Sequence, residues 1–95
     1  MPIFCATYAY DPAATETLDA VRPAHRDWLA EQPALLASGP TDDGGAVLVW
    51  EGGSAAEVEA ILDQDPFHAA GVIAERRVVG WQIVRGRWLD VLDLG

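Results

Sequence analysis

Two side chains that can exchange protons, those of His25 and Asp65, occupy the predicted inner faces of two helical segments. Apolar residues of the first segment recur at intervals of three and four, the spacing of one helix face: Leu18, Val21, Trp28 and Leu29. His25 lies four residues after Val21 and three before Trp28, so it shares that face. The spacing therefore directs an imidazole toward the core.

The second helical segment carries the same pattern, with Val58, Ile61 and Leu62 as its apolar stripe. Asp65 continues this stripe, four residues beyond Ile61 and three beyond Leu62. A carboxylate beside an imidazole favours the protonated ring and fixes its tautomer, which places a proton acceptor near neutral pH. The two helices are therefore predicted to bring a proton-transfer pair together.

Each member of this pair also has a structural interpretation. His25 can be a core histidine satisfied by a backbone carbonyl, the more frequent case for such spacing alone. Asp65 precedes Pro66, the combination typical of a helix N-cap and first position, so it can cap a turn that runs through His68. A cap uses one carboxylate oxygen and leaves the other for His25, so we expect the two roles of Asp65 to be compatible.

The composition disfavours several classes of function. The chain has 95 residues, enough for one domain, and six arginines against fifteen acidic residues give a net charge of −9. Such a charge disfavours binding to nucleic acid and to anionic membranes. Lysine is absent, which excludes Schiff-base chemistry, and no apolar run approaches the roughly 20 residues of a membrane span. No secretion signal is recognisable, and the single cysteine, Cys5, suits a reducing cytoplasm.

We expect neither a metal nor a cofactor. His68 lies three residues from Asp65 and no cysteine joins them and His25, so a metal site is disfavoured. The segment Asp43-Gly44-Gly45 joins two predicted strands and does not precede a helix, so it differs from a phosphate-binding loop. Ser38 has no neighbouring base in the sequence, which disfavours a serine nucleophile.

The order of the predicted elements is βαββαβ. Strands are predicted at 2–10, 35–38, 46–50 and 72–84, helices at 14–36 and 54–64, and a short helical turn at 65–71. Pro23 is expected to kink or restart the first helix, Gly39-Pro40 to end the second strand, and Gly80 to mark a bulge or bend. This order predicts an α+β, ferredoxin-like fold, with a four-stranded antiparallel sheet and two helices on one face.

The first predicted strand is apolar on both faces, which is typical of a strand covered on both sides. Since both helices lie on one face, we expect a homodimer to cover the other. Residues 1–84 form the predicted domain. Residues 85–95 form a tail with much apolar surface, which we expect to pack on the domain or on the dimer partner.

Three motifs, in this order, make the chain resemble the YCII-related family of small dimeric α+β barrel proteins. They are Arg22-Pro23-Ala24-His25 for the family's Arg-x-x-His, Ser38-Gly39-Pro40, and Asp65-Pro66-Phe67 followed by Ala70-Gly71-Val72. The resemblance covers about residues 2–84. The chain departs from it at Gly45-Ala46, where many members have Gly-Ser, and at Val79-Gly80-Trp81, where Lys-Pro-Phe is common.

The resemblance implies that His25 and Asp65 form an active-site dyad in a cleft between the sheet and the helices. Some relatives look like enzymes that eliminate chloride from hydroxylated, chlorinated aromatic rings. Around the cleft we expect five substrate-binding residues: Arg22, Ser38, Gly39, Pro40 and Phe67. Arg22 can anchor an anionic substrate or pair with a surface acid such as Asp19 or Asp27. Ser38 can donate into the cleft, or Ser38-Gly39-Pro40 can be only a turn.

The resulting hypothesis is a cytoplasmic, homodimeric enzyme without a cofactor, a lyase or isomerase. His25 would move a proton on a small phenolic or carbonyl-bearing molecule, with Asp65 as its orienting partner. One alternative is a non-catalytic binding or accessory module that keeps the same cleft. Another is a purely structural dimerisation domain, which would need no inward ionisable pair.

Overall fold

The computed structural model describes residues 2–92, which contain four β-strands, four α-helices and a short 3-10 helix, Pro12–Ala14. The strands are β1 (Ile3–Tyr10), β2 (Leu35–Thr41), β3 (Gly45–Glu51) and β4 (Ile73–Gly80). The helices are α1 (Thr15–Ala30), α2 (Ala55–Leu62), α3 (Pro66–Ala69) and α4 (Trp88–Val91). Met1 and residues 93–95, which include Leu94 of the predicted tail, lie outside the described residues. No helix of residues 2–92 is long and apolar enough to cross a membrane.

The four strands form one antiparallel sheet in the order β2-β3-β1-β4. β2 and β3 make the predicted hairpin, whose turn contains Gly44 at a φ of 87°, a left-handed conformation that favours glycine. The ferredoxin-like α+β fold is thereby confirmed. Because β1 lies in the interior of the sheet, its side chains reach both faces, and a polar group on it can meet either layer of the protein.

The two longest helices, α1 and α2, lie on one face of the sheet, as predicted. Alternate residues of β1, namely Phe4, Ala6 and Tyr8, are buried there beside the α2 residues Val58 and Leu62. The α1 residues packed on this cluster are Trp28 and Leu29. Each fully buried large apolar side chain stabilises the fold by about 1.5–3 kcal/mol. This core holds α1 and the segment after α2 at fixed positions over β1.

The opposite face of the sheet is also apolar. Cys5 pairs in register with Val49 and Val79 on its two sides. These three residues line a shallow hollow of about 320 Å³ together with Trp81 and Trp88. The rings of Trp81 and Trp88 meet edge to face, with centroids 6.3 Å apart. The tail helix α4 therefore contacts this face, while the division of the chain after residue 84 stays a prediction.

The first helix differs from its prediction in two respects. α1 does not restart at Pro23 but continues through it, while the expected kink stays a prediction. Pro23 lies on the exposed side, where water can satisfy the carbonyl that loses its partner. α1 also ends at Ala30, six residues before the predicted end at Leu36. The reason is Pro33, which disfavours helical backbone at the residue before it.

The second and fourth strands also differ from their predicted bounds. β2 continues through Gly39 and Pro40 to Thr41, because it is an edge strand and the missing N–H of proline breaks no ladder there. β4 ends at Gly80 instead of residue 84. After the bond from the Trp81 N–H to the Ile3 carbonyl, 2.9 Å, β1 offers no further residue to pair with. The irregularity in the β1–β4 ladder lies at Ala9/Tyr10, not at Gly80.

Candidate functional site

His25 points from α1 toward the sheet, as its spacing predicts. It is one of two buried residues of α1, with Leu18 the other. Its ring stacks on the ring of Phe67, with centroids 4.0 Å apart and an interplanar angle of 12°. On the same helix, Trp28 stacks against it at 6.2 Å. Aromatic packing of this kind holds the imidazole in one orientation.

Asp65 is fully buried and lies 2.8 Å from His25, measured from carboxylate Oδ1 to ring Nδ1. The same Oδ1 accepts a hydrogen bond of 2.9 Å from the Phe67 backbone N–H and so caps α3. Oδ2 accepts a hydrogen bond of 2.8 Å from the Tyr8 hydroxyl. The expected division of the two oxygens was therefore wrong. One oxygen serves both the cap and His25, because the second is taken by Tyr8.

Asp65 also reaches the site from a different element than its spacing indicates. α2 ends at Leu62, and Asp65 is the N-cap of α3 in extended conformation, with φ −62° and ψ 128°. An N-cap residue directs its side chain back over the start of its own helix, here toward the Phe67 N–H. The carboxylate therefore faces inward because it caps a buried turn, and not because it extends the α2 stripe.

Tyr8 is the member of this cluster that the sequence interpretation missed. It sits on β1, on the same face as Phe4 and Ala6, and is 3% exposed. A signal was present, because a tyrosine on a buried strand face needs a hydrogen-bond partner for its hydroxyl. Alternation alone does not identify that partner, since Asp65 is 57 residues further along the chain.

Burial raises the pKa of the Tyr8 phenol, and the negative charge of Asp65 and the hydrogen bond to it raise this pKa further. Arg76 opposes the shift with its positive charge. Burial, followed by the charge of Asp65, also raises the pKa of Tyr10. Tyr8 therefore remains a neutral hydrogen-bond donor to Asp65 well into the alkaline range.

The raised tyrosine pKa values predict a loss of stability at alkaline pH. Above the ordinary value of 10.0, Tyr8 of the unfolded chain loses its proton while that of the folded chain keeps it. The folded state then binds more protons, so the free energy of unfolding falls as pH rises, by up to about 1.4 kcal/mol per pH unit for one tyrosine. Urea denaturation of the wild type and Tyr8→Phe from about pH 9 to 11.5 measures this slope.

The composition makes that comparison clean, because the chain has no lysine and only two tyrosines, Tyr8 and Tyr10. Tyr8→Phe is expected to be less stable at neutral pH and to lose less stability on going to alkaline pH. Equal slopes in the two proteins would show that Tyr8 ionises as easily when folded as when unfolded.

His25 lies at the wall of a cavity of about 210 Å³ between α1, the β2–β3 hairpin and α3. All five predicted substrate-binding residues line this cavity: Arg22, Ser38, Gly39, Pro40 and Phe67. Further lining residues, which the sequence interpretation did not select, include Tyr10, Arg26 and Leu29. A larger hollow of about 430 Å³ lies at Pro2–Phe4 and 80–83, but no ionisable side chain lines it. Of these two, the smaller cavity is therefore the better candidate for chemistry, because His25 lies at its wall.

Arg22 and His68, for which the sequence left other roles open, each lie near a surface carboxylate. Arg22 does meet a surface acid, since its Nη2 lies 3.0 Å from Asp19 Oδ1, although it lines the cavity as well. His68 lies outside the cavity lining, with its Nε2 3.9 Å from Asp63 Oδ1. Within residues 2–92, no three His, Cys, Asp or Glu residues come together as a group that could hold a metal ion.

The arrangement is suited to proton transfer at one nitrogen of His25. Nδ1 is engaged by Asp65, and an ionised carboxylate there requires Nδ1 to carry the proton. The neutral ring then presents Nε2 as an acceptor for a ligand in the cavity. Because Asp65 also accepts from Tyr8 and from the Phe67 N–H, its position cannot shift without breaking these bonds.

Comparison with solved structures shows which known proteins are similar to this chain in fold. The 5-chloro-2-hydroxyhydroquinone dehydrochlorinase TftG from Burkholderia phenoliruptrix AC1100, in complex with 2,5-dihydroxybenzoquinone, is 26% identical, with a TM-score of 0.75 over 84% of this chain and 93% of that one. Protein Atu4242 from Agrobacterium tumefaciens is 13% identical (TM-score 0.57; 90% and 95% covered). A NIPSNAP domain protein from Burkholderia xenovorans is 15% identical (TM-score 0.55; 88% and 95% covered). The last two similarities concern the fold alone.

No significant match was found among curated proteins. The model of the YCII-related domain, in contrast, matches residues 1–82, and these residues include β1 to β4 and every residue of the cavity. The chain therefore belongs to the YCII-related domain family.

Proposed function

We propose that the chain is a small, cofactor-independent enzyme of the lyase or isomerase type that moves a proton on a small phenolic or carbonyl-bearing molecule. His25 is the proton acceptor, and Asp65 orients its ring. The observation that carries the proposal is the 2.8 Å contact between His25 Nδ1 and Asp65 Oδ1 at the wall of a cavity. A histidine held by a buried carboxylate has the geometry that general base catalysis needs.

Elimination of hydrogen chloride is the reaction that the similarity to TftG supports, since that protein is a 5-chloro-2-hydroxyhydroquinone dehydrochlorinase. The ring carbon that bears chlorine would first gain a proton while the neighbouring hydroxyl becomes a carbonyl. A second hydroxyl would then pass its proton to Nε2 of His25 and become the second carbonyl, and the chloride would leave the ring with its bonding electron pair. The step is balanced without an oxidant or a reductant. The ring of Phe67, stacked on that of His25 at 4.0 Å, would keep the imidazole in place during the proton transfer.

Chloride release tests this function directly. We expect the purified chain to release chloride from 5-chloro-2-hydroxyhydroquinone faster than buffer does, with the matching appearance of quinone absorbance. A chain that binds 2,5-dihydroxybenzoquinone but releases no chloride would contradict dehydrochlorination and support a binding module. Two differences from the family pattern favour that alternative: Gly45-Ala46 in place of Gly-Ser, and Val79-Gly80-Trp81 in place of Lys-Pro-Phe.

We also propose that the chain acts as a homodimer. The support is the apolar sheet face on which Cys5, Val49 and Val79 lie, with Trp81 and Trp88 still 41% and 46% exposed. Apolar surface of this kind is typical of an interface. Sedimentation equilibrium should give twice the chain mass, and a single-chain mass would refute the dimer. A cytoplasmic location and the lack of nucleic-acid binding stay predictions from the single cysteine and the net charge of −9.

A further inference from the structure

We propose that Arg22 and Arg26 make the cavity selective for anions, so that its ligand binds as a planar, oxygen-rich anion such as a phenolate or an ionised hydroxyquinone. This inference rests on the proposed function for the identity of the site, and it names the substrate class. Arg22 and Arg26 are four residues apart on α1, so they lie on neighbouring turns of one helix face, and both line the cavity beside His25.

The charge at the cavity is opposite to that of the chain as a whole. The chain has fifteen acidic residues against six arginines. Of the described residues that line the cavity, two are arginines and none is acidic. One third of the chain's arginines therefore lie at one cavity. A local positive potential on an acidic protein attracts anions to that place and repels them elsewhere.

Neither nearby carboxylate neutralises this cavity from within. The two oxygens of Asp65 are occupied by His25, Tyr8 and the Phe67 N–H, and Asp65 does not line the cavity. Its negative charge raises the pKa of Tyr10, which lines the cavity, but it is a single charge against two arginines.

Asp19 pairs with one nitrogen of Arg22, but this is a surface pair in which the Asp19 side chain is 64% exposed. Such a pair is weak, and the other guanidinium donors of Arg22 remain. Arg26 has no ion-pair partner within 4.0 Å among residues 2–92. Two guanidinium groups are therefore available to a ligand.

The two arginines indicate the shape of the anion. The planar fork of a guanidinium group matches a pair of oxygens that share a delocalised charge. In 2,5-dihydroxybenzoquinone each hydroxyl is conjugated to a carbonyl, so the molecule is a vinylogous acid whose anion spreads its charge over such a pair.

Calorimetric titration with two probes separates charge from shape. The probes are 2,5-dihydroxybenzoquinone and its neutral dimethyl ether, 2,5-dimethoxybenzoquinone. We expect the wild type to bind the dihydroxy compound at least about 10-fold more tightly than the ether, since only the former offers a charge-assisted partner to arginine. Arg26→Gln should weaken binding of the dihydroxy compound by about 5- to 20-fold and change binding of the ether little.

Arg77→Gln is the matched control, because Arg77 is exposed on β4, does not line the cavity, and its loss changes the net charge equally. We expect it to weaken binding less than about 2-fold. Equal effects of Arg26→Gln and Arg77→Gln, equal affinity of the wild type for the two probes, or no binding of the dihydroxy compound would each overturn the proposal.

Chloride release from 5-chloro-2-hydroxyhydroquinone, measured on the same proteins, separates this inference from the proposed catalysis. Selective binding without chloride release would leave the anion site intact and remove the enzymatic function. Chloride release that Arg26→Gln leaves unchanged, with equal binding of both probes, would retain the enzyme and remove the anion site.

Discussion

His25→Ala is expected to lower turnover by about 10²- to 10⁴-fold, the usual contribution of a positioned general base. The reason is that the proposed mechanism assigns the acceptor role to Nε2 of His25, a residue at the cavity wall whose Nδ1 lies 2.8 Å from Asp65. The measurement is the initial rate of chloride release at saturating substrate. Circular dichroism and a thermal melt of the same sample establish that the variant is folded.

His68→Ala is the matched control for this prediction. His68 is the second of the chain's two histidines, and it lies on α3 outside the cavity lining, with its side chain 49% exposed. We expect this variant to keep wild-type turnover. An equal loss in both variants would point to a general effect of histidine removal.

His25→Leu tests the alternative that His25 is only a core residue. If leucine raises the melting temperature and leaves chloride release and the binding of 2,5-dihydroxybenzoquinone unchanged, His25 is a packing residue and the catalytic proposal is wrong. If His25 is the base, the same variant should remain folded, with the leucine packed against Phe67, but lose turnover, since leucine carries no proton acceptor.

Asp65→Ala is expected to lower the free energy of unfolding by about 3–5 kcal/mol, the cost of removing one partner from a buried polar cluster. Its carboxylate accepts from three groups, the Tyr8 hydroxyl, the Phe67 N–H and His25 Nδ1. All three are left without an acceptor in a fully buried site. Urea denaturation at neutral pH measures the change.

Asp11→Ala provides the matched comparison, because Asp11 is also an N-cap, that of the 3-10 helix Pro12–Ala14, but a partly exposed one. Its Oδ1 accepts a 2.9 Å hydrogen bond from the Ala13 N–H and has no buried partner among residues 2–92. We expect this variant to lose only about 1 kcal/mol, the usual cost of a lost cap. Similar losses in the two alanine variants would mean that Asp65 contributes nothing beyond capping α3.

Asp65→Asn separates the stabilising role of Asp65 from its orienting role. The amide oxygen can still accept from the Phe67 N–H, so we expect the asparagine variant to be more stable than Asp65→Ala. It carries no charge to hold the Nδ1–H tautomer of His25, and turnover should therefore fall even where the fold is kept. Full turnover in the asparagine variant would remove Asp65 from the proposed mechanism.

Much of the architecture could be predicted from the sequence alone. The βαββαβ order, the hairpin, the inward face of α1 and the burial of His25 follow from periodicities of two and 3.6 residues and from turn residues such as Gly44. The three motifs that resemble the YCII-related family lie within the 1–82 match. These features were accessible because each depends on residues a few positions apart in the chain.

The contacts within the site required the tertiary structure. Tyr8 reaches Asp65 across 57 residues and His25 reaches it across 40. Which oxygen each one meets depends on how α1 and α3 dock on β1. Likewise, β2 continues through Pro40 only because it became the edge of the sheet. Local periodicity determines which face a side chain occupies, whereas its partner is selected by the packing of separate elements, and that packing is a property of the whole folded chain.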